Sequence, residues 1–235
     1  MISFAPRDSL KRAAAGRALE FVRDGMKLGL GTGTTAEAFL ELLAEKVRAG
    51  LQVICATTSE RTAKEARALG IPLGDLDDLA PLDLDIDGAD EADRAFNLIK
   101  GGGGALLREK IVASSSKQMI VIMDDSKLVD RLGGFALPVE VTRFGHATTA
   151  RRIRNAATSL GYATMQMNLR EGFVTDSGNL IYDCGFGVIR DTRLLAIALA
   201  VIPGVVDHGL FLNLASTLVI ARPGGVEVMS KSPAP

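Results

Sequence analysis

The sequence predicts an α/β fold in which a parallel-sheet domain is joined to a smaller α+β domain. Short apolar strands alternate with amphipathic helices in the first half, with strands at 27–31 (KLGLG) and 52–57 (QVICAT) and helices at 36–48 and 59–70. This alternation is typical of a parallel sheet that carries helices on both faces. After about Gly133, turn residues separate shorter strand patterns, which indicates antiparallel pairing.

The remaining predicted elements follow the same two patterns. In the first domain they are a helix at 8–24, strands LDLDID (82–87), FNLIK (96–100) and QMIVIMD (118–124), and the helix GALLREKIVASSS. In the second they are strands ALPVEVTRF, YATMQMN, FVTD and NLIYDCG, and helices TTARRIRNAATSLG and DTRLLAIALAVIPG. The closing GLFLNLASTLVIARPGGVEVM should return to the first sheet, and the tail SKSPAP should be disordered. The predicted domains are 1–132 with 205–235, and 133–204.

Composition excludes several classes of protein. The 235 residues are 47% hydrophobic, and 27 basic and 28 acidic residues leave a formal charge of -1. That balance predicts neither a nucleic-acid partner nor a membrane partner. Cys55 and Cys184 lack CxxC spacing, which indicates buried thiols in a reducing compartment. The start MISFAPRDSLKRAA has no apolar signal core and the longest apolar run, 194–202, is too short to span a bilayer, so we expect a cytoplasmic protein.

The acidic stretch DLDIDGADEAD partly matches an EF-hand calcium loop. Its acids and Gly88 fit the front of that pattern, but Arg94 stands where the bidentate glutamate belongs. The preceding GIPLGDLDDLAPL is broken by Gly and Pro, so it cannot form the entering helix. The alternation of Leu and Ile with Asp instead favours a strand that ends before Gly88 and carries acids at its carboxyl end.

The stretch GLGTGTT, from Gly29 to Thr35, lies between a predicted strand and a predicted helix. Backbone amides and the helix dipole favour a phosphate at such a junction. A dinucleotide fingerprint would need glycine in place of Thr34 and an acid about twenty residues on, and neither is present. No Lys-Ser or Lys-Thr follows, which excludes a Walker loop. Three hydroxyls with three glycines suit one phosphate on a small molecule, and a tight turn that binds nothing stays an alternative.

A second glycine-rich stretch, KGGGGALLRE, runs from Lys100 to Glu109. A predicted strand ends at Lys100, four glycines allow close approach of the backbone, and the next helix carries Glu109 in its early turns. Each glycine costs roughly 0.5–1 kcal/mol of backbone entropy unless the room is used. The run therefore favours a ligand site over an exposed Lys-Glu ion pair beside a flexible loop.

The remaining residues limit the chemistry. The sequence contains no set of metal-ligand residues and no GxSxG elbow, and His146 and His208 stand away from both glycine-rich stretches. The motifs follow the carboxyl ends of predicted strands, where open α/β sheets bind ligands. We predict acid–base chemistry by carboxylates with one cation, on a small phosphorylated substrate and with no cofactor.

Eight segments in order resemble the motif series of the A-type ribose-5-phosphate isomerase family. They are GLGTGTTAEAFL, TTSERT, DLDIDGADEAD, LIKGGGGALLREKIVAS, MDDSKLV, LPVEV, VTDSGNLIYD and IPGVVDHGLF. The resemblance implies a Rossmann-like parallel-sheet domain with a ferredoxin-like α+β domain. It also implies metal-independent interconversion of ribose 5-phosphate and ribulose 5-phosphate, within the pentose phosphate pathway, by a homodimer or homotetramer.

The resemblance also implies the residues of the site. The catalytic residues are Glu109 as the base, with Asp87, Asp90 and Lys100. The substrate-binding residues are Thr32, Gly33, Thr34, Thr35, Asp87, Gly88, Ala89, Asp90, Lys100, Gly101, Gly102, Gly103 and Lys127. Lys11 matches a lysine associated with the phosphate. The chain departs from the family pattern at Thr34, at TRFGHA and at LASTLVIA, and none of these touches the carboxylates or Lys100.

These residues suit one mechanism. We expect Glu109 to move a proton between neighbouring carbons through an enediolate, whose oxygen Lys100 and the dipole of the glycine-loop helix stabilise. Asp87 and Asp90 are candidates for proton transfers on the sugar oxygens and for ring opening, and the threonine loop and Lys127 for the phosphate. The alternatives are a sugar-phosphate sensor without catalysis, a coenzyme A transferase and, least favoured, a nicotinamide oxidoreductase.

Overall fold

The computed structural model describes residues 7–231, and the chain divides into two compact units. The first comprises Met1–Ala89, Arg108–Leu128 and Asn213–Pro235, and the second comprises Asp90–Leu107 and Val129–Leu212. Residues 1–6, at the start in which we predicted no signal peptide, and residues 232–235, the last four of the tail SKSPAP, lie outside the described residues. The predicted bounds of the folding domains stay a prediction.

The helices and strands agree with most of the predicted elements to within a few residues at each end. The helices of residues 7–231 are α1 (Arg7–Leu19), α2 (Thr34–Arg48), α3 (Glu60–Ala68), α4 (Leu76–Leu79), α5 (Leu106–Ser114), α6 (His146–Ser159) and α7 (Thr192–Ala200). The strands are β1 (Lys27–Leu30), β2 (Ile54–Thr57), β3 (Leu84–Asp87), β4 (Glu91–Asp93), β5 (Leu98–Ile99), β6 (Met119–Asp124), β7 (Leu128–Val129), β8 (Leu137–Val141), β9 (Gln166–Leu169), β10 (Leu180–Gly185), β11 (Val205–His208), β12 (Leu210–Phe211), β13 (Ala215–Arg222) and β14 (Gly225–Ser230). None of these helices is long and apolar enough to cross a membrane.

The first unit is built on a six-stranded sheet in the order β14-β13-β6-β3-β1-β2. Its strands are parallel except for β14, which pairs antiparallel with β13. Because β13 pairs with β6, the chain returns to the first sheet as predicted. Alternate residues of the central strands enter one hydrophobic core with α1 and α2: Leu28, Leu30, Leu84 and Ile86. The α/β class with a parallel sheet is thus confirmed.

The strand predicted at FNLIK does not join the parallel sheet, so that prediction was wrong. Its centre, β5, pairs antiparallel with β4 and with β12, in a separate sheet of order β12-β5-β4-β7. The connection from Asp87 to Leu98 is shorter than the dozen or so residues that a parallel crossover requires. The chain therefore folds back as a short hairpin.

The second unit also contains the predicted smaller α+β arrangement. Its antiparallel sheet has the order β11-β8-β10-β9, and α6 and α7 contribute Ile153 and Leu195 to a core shared with β8. Strand β10 pairs with β8 on one side and with β9 on the other, where Met167 of β9 lies opposite Cys184. The predicted strand FVTD is wrong, because these residues lie in the turn before β10, where Thr175 N–H donates to Asn179 O at 3.0 Å.

Both cysteines are free and buried. Burial raises the pKa of the Cys55 thiol and that of the Cys184 thiol to about 12. Each side chain is therefore a neutral thiol packed as a small apolar group, as the sequence predicted.

Glu91 of β4 is a buried carboxylate that holds a loop distant in sequence. Its Oε2 accepts a hydrogen bond from Gly133 N–H at 2.7 Å, and its Oε1 accepts one from Phe135 N–H at 2.6 Å. The residue is only 6% exposed. The carboxylate thereby satisfies two backbone donors that the loop does not satisfy with its own carbonyls.

We predict that Glu91→Ala lowers the free energy of unfolding by about 3 kcal/mol, because two N–H groups lose a charged acceptor. Urea denaturation measures the change. The matched control is Glu171→Ala in the same unit, where the side chain is exposed and a change within about 0.5 kcal/mol is expected. Equal losses of stability in the two variants would contradict this role of Glu91.

Candidate active site

Two aspartates of β3 lie against Gly29 of β1 and against Gly31, which directly follows that strand. A Cβ atom added at Gly29 would stand 2.6 Å from Asp85 Oδ1. One added at Gly31 would overlap the carboxylate of Asp87. Both aspartates are fully buried. The glycines are therefore required by the close approach of the neighbouring strand, and the aspartates occupy the sheet face opposite the α1 and α2 core.

The glycine–threonine loop is fixed to Asp87 and to a group of hydroxyls. Asp87 Oδ1 accepts hydrogen bonds from Thr32 N–H at 3.1 Å and Gly88 N–H at 2.7 Å. Thr32 Oγ1 lies 2.7 to 3.0 Å from three other hydroxyl oxygens, those of Thr58, Ser59 and Thr62. A hydroxyl makes at most about three hydrogen bonds. The Thr32 side chain is thus engaged in positioning the loop.

Helix α2 begins directly after this loop. Its N-cap is Gly33, with φ +117° and no side-chain cap hydrogen bond. Thr34 and Thr35 are the first two helical residues, so their N–H groups have no acceptor within the helix. Uncapped amides and the positive end of the dipole of a 15-residue helix would suit an anion at this point.

Glu109 lies in α5 and is 3% exposed. Val112 is one turn further along the same helix face. The Val112 side chain reaches the glycine strand, since a Cβ added at Gly29 would stand 2.6 Å from its Cγ1. Glu109 therefore faces the side of the sheet that carries Asp85 and Asp87.

The first unit presents these groups at one edge of its sheet. Strands β6, β3 and β1 are parallel neighbours, and at their carboxyl ends lie Lys127, Asp87 and the glycine–threonine loop. Lys127 is half-buried and makes no ion pair with another residue in 7–231. Lys11 lies in α1, where its Nζ is 3.3 Å from Asp8 Oδ1.

The second unit carries the other predicted residues. Lys100 is 2% exposed, its N–H donates to Gly209 O at 2.9 Å, and its Nζ lies 5.4 Å from the centroid of the Phe211 ring. Asp90 Oδ2 accepts a hydrogen bond from Gly102 N–H at 2.7 Å. A Cβ at Gly102 would stand 2.6 Å from Asp90 Oδ1, so this glycine also serves a close approach.

The sequence did not predict the contacts of two residues of the second unit: Arg170, which meets the glycines after Lys100, and His208, which precedes the Gly209 carbonyl that accepts the Lys100 N–H. Arg170 donates to the carbonyls of Gly101 and Gly102. His208 Nδ1 accepts from Leu210 N–H at 3.3 Å, which places the ring proton on Nε2, 3.2 Å from Ala196 O. The sequence does not indicate either contact, because an isolated arginine or histidine gives no information about the backbone carbonyl to which it donates.

The chemistry of the first unit defines a class of protein. Buried carboxylates at the carboxyl ends of parallel strands, beside an uncapped helix N-terminus, suit an enzyme that moves protons on a small anionic molecule. Within residues 7–231 no group of three or more His, Cys, Asp or Glu side chains could hold a metal ion.

Known proteins identify the family. The model of the Ribose 5-phosphate isomerase A (phosphoriboisomerase A) family matches residues 54–225. Ribose-5-phosphate isomerase A of Parvibaculum lavamentivorans is 56% identical over 227 residues, which are 94% of this chain and 98% of that protein. The chain therefore belongs to the ribose 5-phosphate isomerase A family, as the resemblance predicted.

Solved structures agree with this assignment. Ribose 5-phosphate isomerase A from Methanocaldococcus jannaschii superposes with a TM-score of 0.88 at 35% identity, covering 96% of this chain and 100% of that one. A D-ribose-5-phosphate isomerase in complex with phospho-erythronic acid superposes with a TM-score of 0.89 at 34% identity, covering 97% and 100%. The predicted fold class, a Rossmann-like parallel-sheet domain with a ferredoxin-like α+β domain, is confirmed.

We predict that Gly31→Ala lowers the free energy of unfolding by about 1–3 kcal/mol, because the methyl group must displace Asp87 or separate the two strands. Urea denaturation measures the loss. Gly225→Ala is the control, since no atom lies within 4 Å of a Cβ at that position. An unchanged stability of the Gly31 variant would contradict the close approach of β1 and β3.

Proposed function

We propose that this protein interconverts D-ribose 5-phosphate and D-ribulose 5-phosphate as an aldose–ketose isomerase in the cytoplasm, within the non-oxidative branch of the pentose phosphate pathway. The observation that carries the proposal is the membership of the ribose 5-phosphate isomerase A family over nearly the whole chain. A family relative has been solved in complex with phospho-erythronic acid, a phosphorylated sugar acid. The alternative of a non-catalytic sugar-phosphate sensor has no such support.

The reaction moves a carbonyl from C1 to C2 without a net change of oxidation state in the molecule. Glu109 removes the proton from C2 of the opened aldose, and the electron pair of that bond forms the enediolate. The same carboxyl then returns a proton to C1, while the O2 proton is transferred to O1 before the ketose is released. One carboxylate above the plane of the enediolate suffices for both carbon transfers.

Lys100 stabilises the developing enediolate oxygen. Its near-complete burial strengthens an electrostatic interaction that water would weaken. Asp87 and Asp90 carry the proton transfers on the sugar oxygens and open the ring. Asp87 Oδ1 already accepts two backbone N–H groups, which leaves the proton exchange to Oδ2.

The phosphate lies at the N-terminus of α2. The N–H groups of Thr34 and Thr35 and the Lys127 ammonium bind it, and Gly33, Gly88 and Ala89 give the backbone room beside the substrate. Thr32 acts through its hydroxyl network as a positioning residue for this loop. Binding energy at the phosphate then orients the reacting carbons.

We predict that Glu109→Gln lowers kcat by about 10²- to 10⁴-fold with KM nearly unchanged, because the amide cannot accept the carbon-bound proton. The measurement is conversion of ribose 5-phosphate after exhaustive chelation, which tests metal independence at the same time. Glu65→Gln, on α3, is the control and should retain full activity. A Glu109→Gln variant with nearly normal turnover would reject Glu109 as the base.

We also propose that the protein assembles as a homodimer or homotetramer through α7. Leu194, Ile197 and Val201 are 50%, 55% and 72% exposed, and their spacing of three and four residues places them on one helix face. Arg193 is the one charged residue of Thr192–Ala200. Homodimer interfaces are more apolar than transient interfaces, and a two-fold contact pairs a patch with itself, so an uncharged stripe suits a second copy of this chain.

We predict that Ile197→Glu halves the mass of the assembly, to that of one chain, 24.8 kDa, for a homodimer, because a two-fold contact would bring two carboxylates into an apolar interface. Light scattering coupled to size exclusion measures the mass. Val188→Glu, at a residue that is 56% exposed outside the stripe, should leave the assembly intact. A monomeric parent protein, or an unchanged mass of the Ile197 variant, would overturn the α7 interface.

A further inference from the structure

The turn before β10 contacts the glycine loop, which we define as Lys100–Gly104. Arg170 follows β9 directly, and its Nη1 donates to Gly101 O and to Gly102 O, both at 3.2 Å. The rest of the guanidinium is fixed by Asp183, with Nε and Nη2 at 3.0 and 2.5 Å from the two carboxylate oxygens. One planar side chain thus holds two consecutive carbonyls of the loop in place.

These bonds set the direction of two peptide planes. In a trans peptide the N–H points away from the carbonyl. The carbonyl of Gly101 accepts from Arg170, and the N–H of Gly102 in the same peptide donates to Asp90 at 2.7 Å. The carbonyl of Gly102 also points at Arg170, so the N–H of Gly103, in the same peptide, points away from Arg170. No described acceptor bonds that N–H, so it remains a donor for a ligand.

The turn itself is anchored to the sheet of the second unit. Glu140 of β8 is 1% exposed, and its Oε1 accepts hydrogen bonds from Thr175 Oγ1 and Asn179 Nδ2, each at 2.9 Å. The Phe173 ring occupies the space that a side chain at Gly104 would need. The VTDSGN stretch therefore forms a fixed support from which Arg170 and Phe173 reach the loop.

We infer that Arg170 is a positioning residue that aims the Gly103 N–H at a substrate oxygen, next to the catalytic Lys100. The inference rests on the proposed isomerase function. Arg170 does not itself react, since it acts through the carbonyls of Gly101 and Gly102. Its loss should impair the stabilisation of the enediolate more than the binding of the phosphate, for which the proposed function uses Thr34, Thr35 and Lys127.

The test measures kcat and KM of Arg170→Ala with ribose 5-phosphate. We expect kcat to fall about 10- to 100-fold, the effect of a small misplacement of catalytic groups, and KM to change less. Guanidinium chloride at roughly 50 mM, far below denaturing concentrations, should restore part of kcat. Arg170→Lys should stay impaired, because an ammonium cannot bind a carboxylate in a bidentate manner and span two carbonyls.

Arg190→Ala is the matched control. Arg190 also donates to a backbone carbonyl, that of Gly161 at 2.9 Å, and stacks on an aromatic ring, that of Tyr162. The Arg190→Ala variant should keep the wild-type kcat, and added guanidinium chloride should not raise it. Wild-type kcat in Arg170→Ala, or an equal loss in Arg190→Ala, would overturn the inference.

A second variant, Asp183→Asn, disturbs the Arg170 side chain without removing it. If Arg170→Ala does not fold, Asp183→Asn keeps the volume and weakens the bidentate pair, and it should lower kcat in the same direction. A folded Asp183→Asn variant with wild-type kcat would then overturn the inference. Failure of the parent protein to convert ribose 5-phosphate would instead refute the proposed function, so the two failures are distinguishable.

Discussion

The close approach of β1 to β3 is the constraint on which the candidate site depends. Because Gly29 and Gly31 lack side chains, the carboxylates of Asp85 and Asp87 fit over these glycines on one face of the sheet with no exposure to solvent. A buried carboxylate is costly unless hydrogen bonds compensate it. Asp87 meets that condition by accepting N–H groups from the loop that leads into α2. The same contact therefore fixes an acid, the loop and the uncapped N-terminus of α2.

Much of the fold was predictable because burial leaves a periodic trace in the sequence. Leu84 and Ile86 alternate with aspartates in the sequence and form the core face of β3. Helical spacing of apolar residues predicted α2, α3 and α5. The errors concern pairing partners. The two residues of β5 are too few to indicate whether the strand pairs parallel or antiparallel. Its hairpin with β4 follows from the short connection after β3. FVTD has a strand-like composition, but it lies in a turn that Thr175 and Asn179 fix by hydrogen bonds to Glu140.

The candidate site was predictable where reactive side chains occur at the carboxyl ends of predicted strands. Asp87, Lys100 and Glu109 stand beside glycine-rich stretches that adjoin predicted strand ends, where open α/β sheets bind ligands. The role of Thr32 was not predictable, because its hydroxyl partners follow a different strand. Arg170 was missed for the same reason, since 69 residues separate it from the carbonyl of Gly101. Contacts between side chains and distant loops depend on the whole fold.

Proton transfer by a carboxylate can be tested by the fate of the substrate hydrogen. Ribose 5-phosphate would be converted by the purified, chelator-treated protein in deuterium oxide, and the product would be examined by NMR. Transfer through an enediolate exposes the abstracted proton to exchange, so we expect deuterium at C1 of ribulose 5-phosphate. Product that still carries no deuterium at C1 after prolonged incubation at equilibrium, when each molecule has turned over many times, would indicate a hydride shift between the carbons and would contradict the role of Glu109 as base.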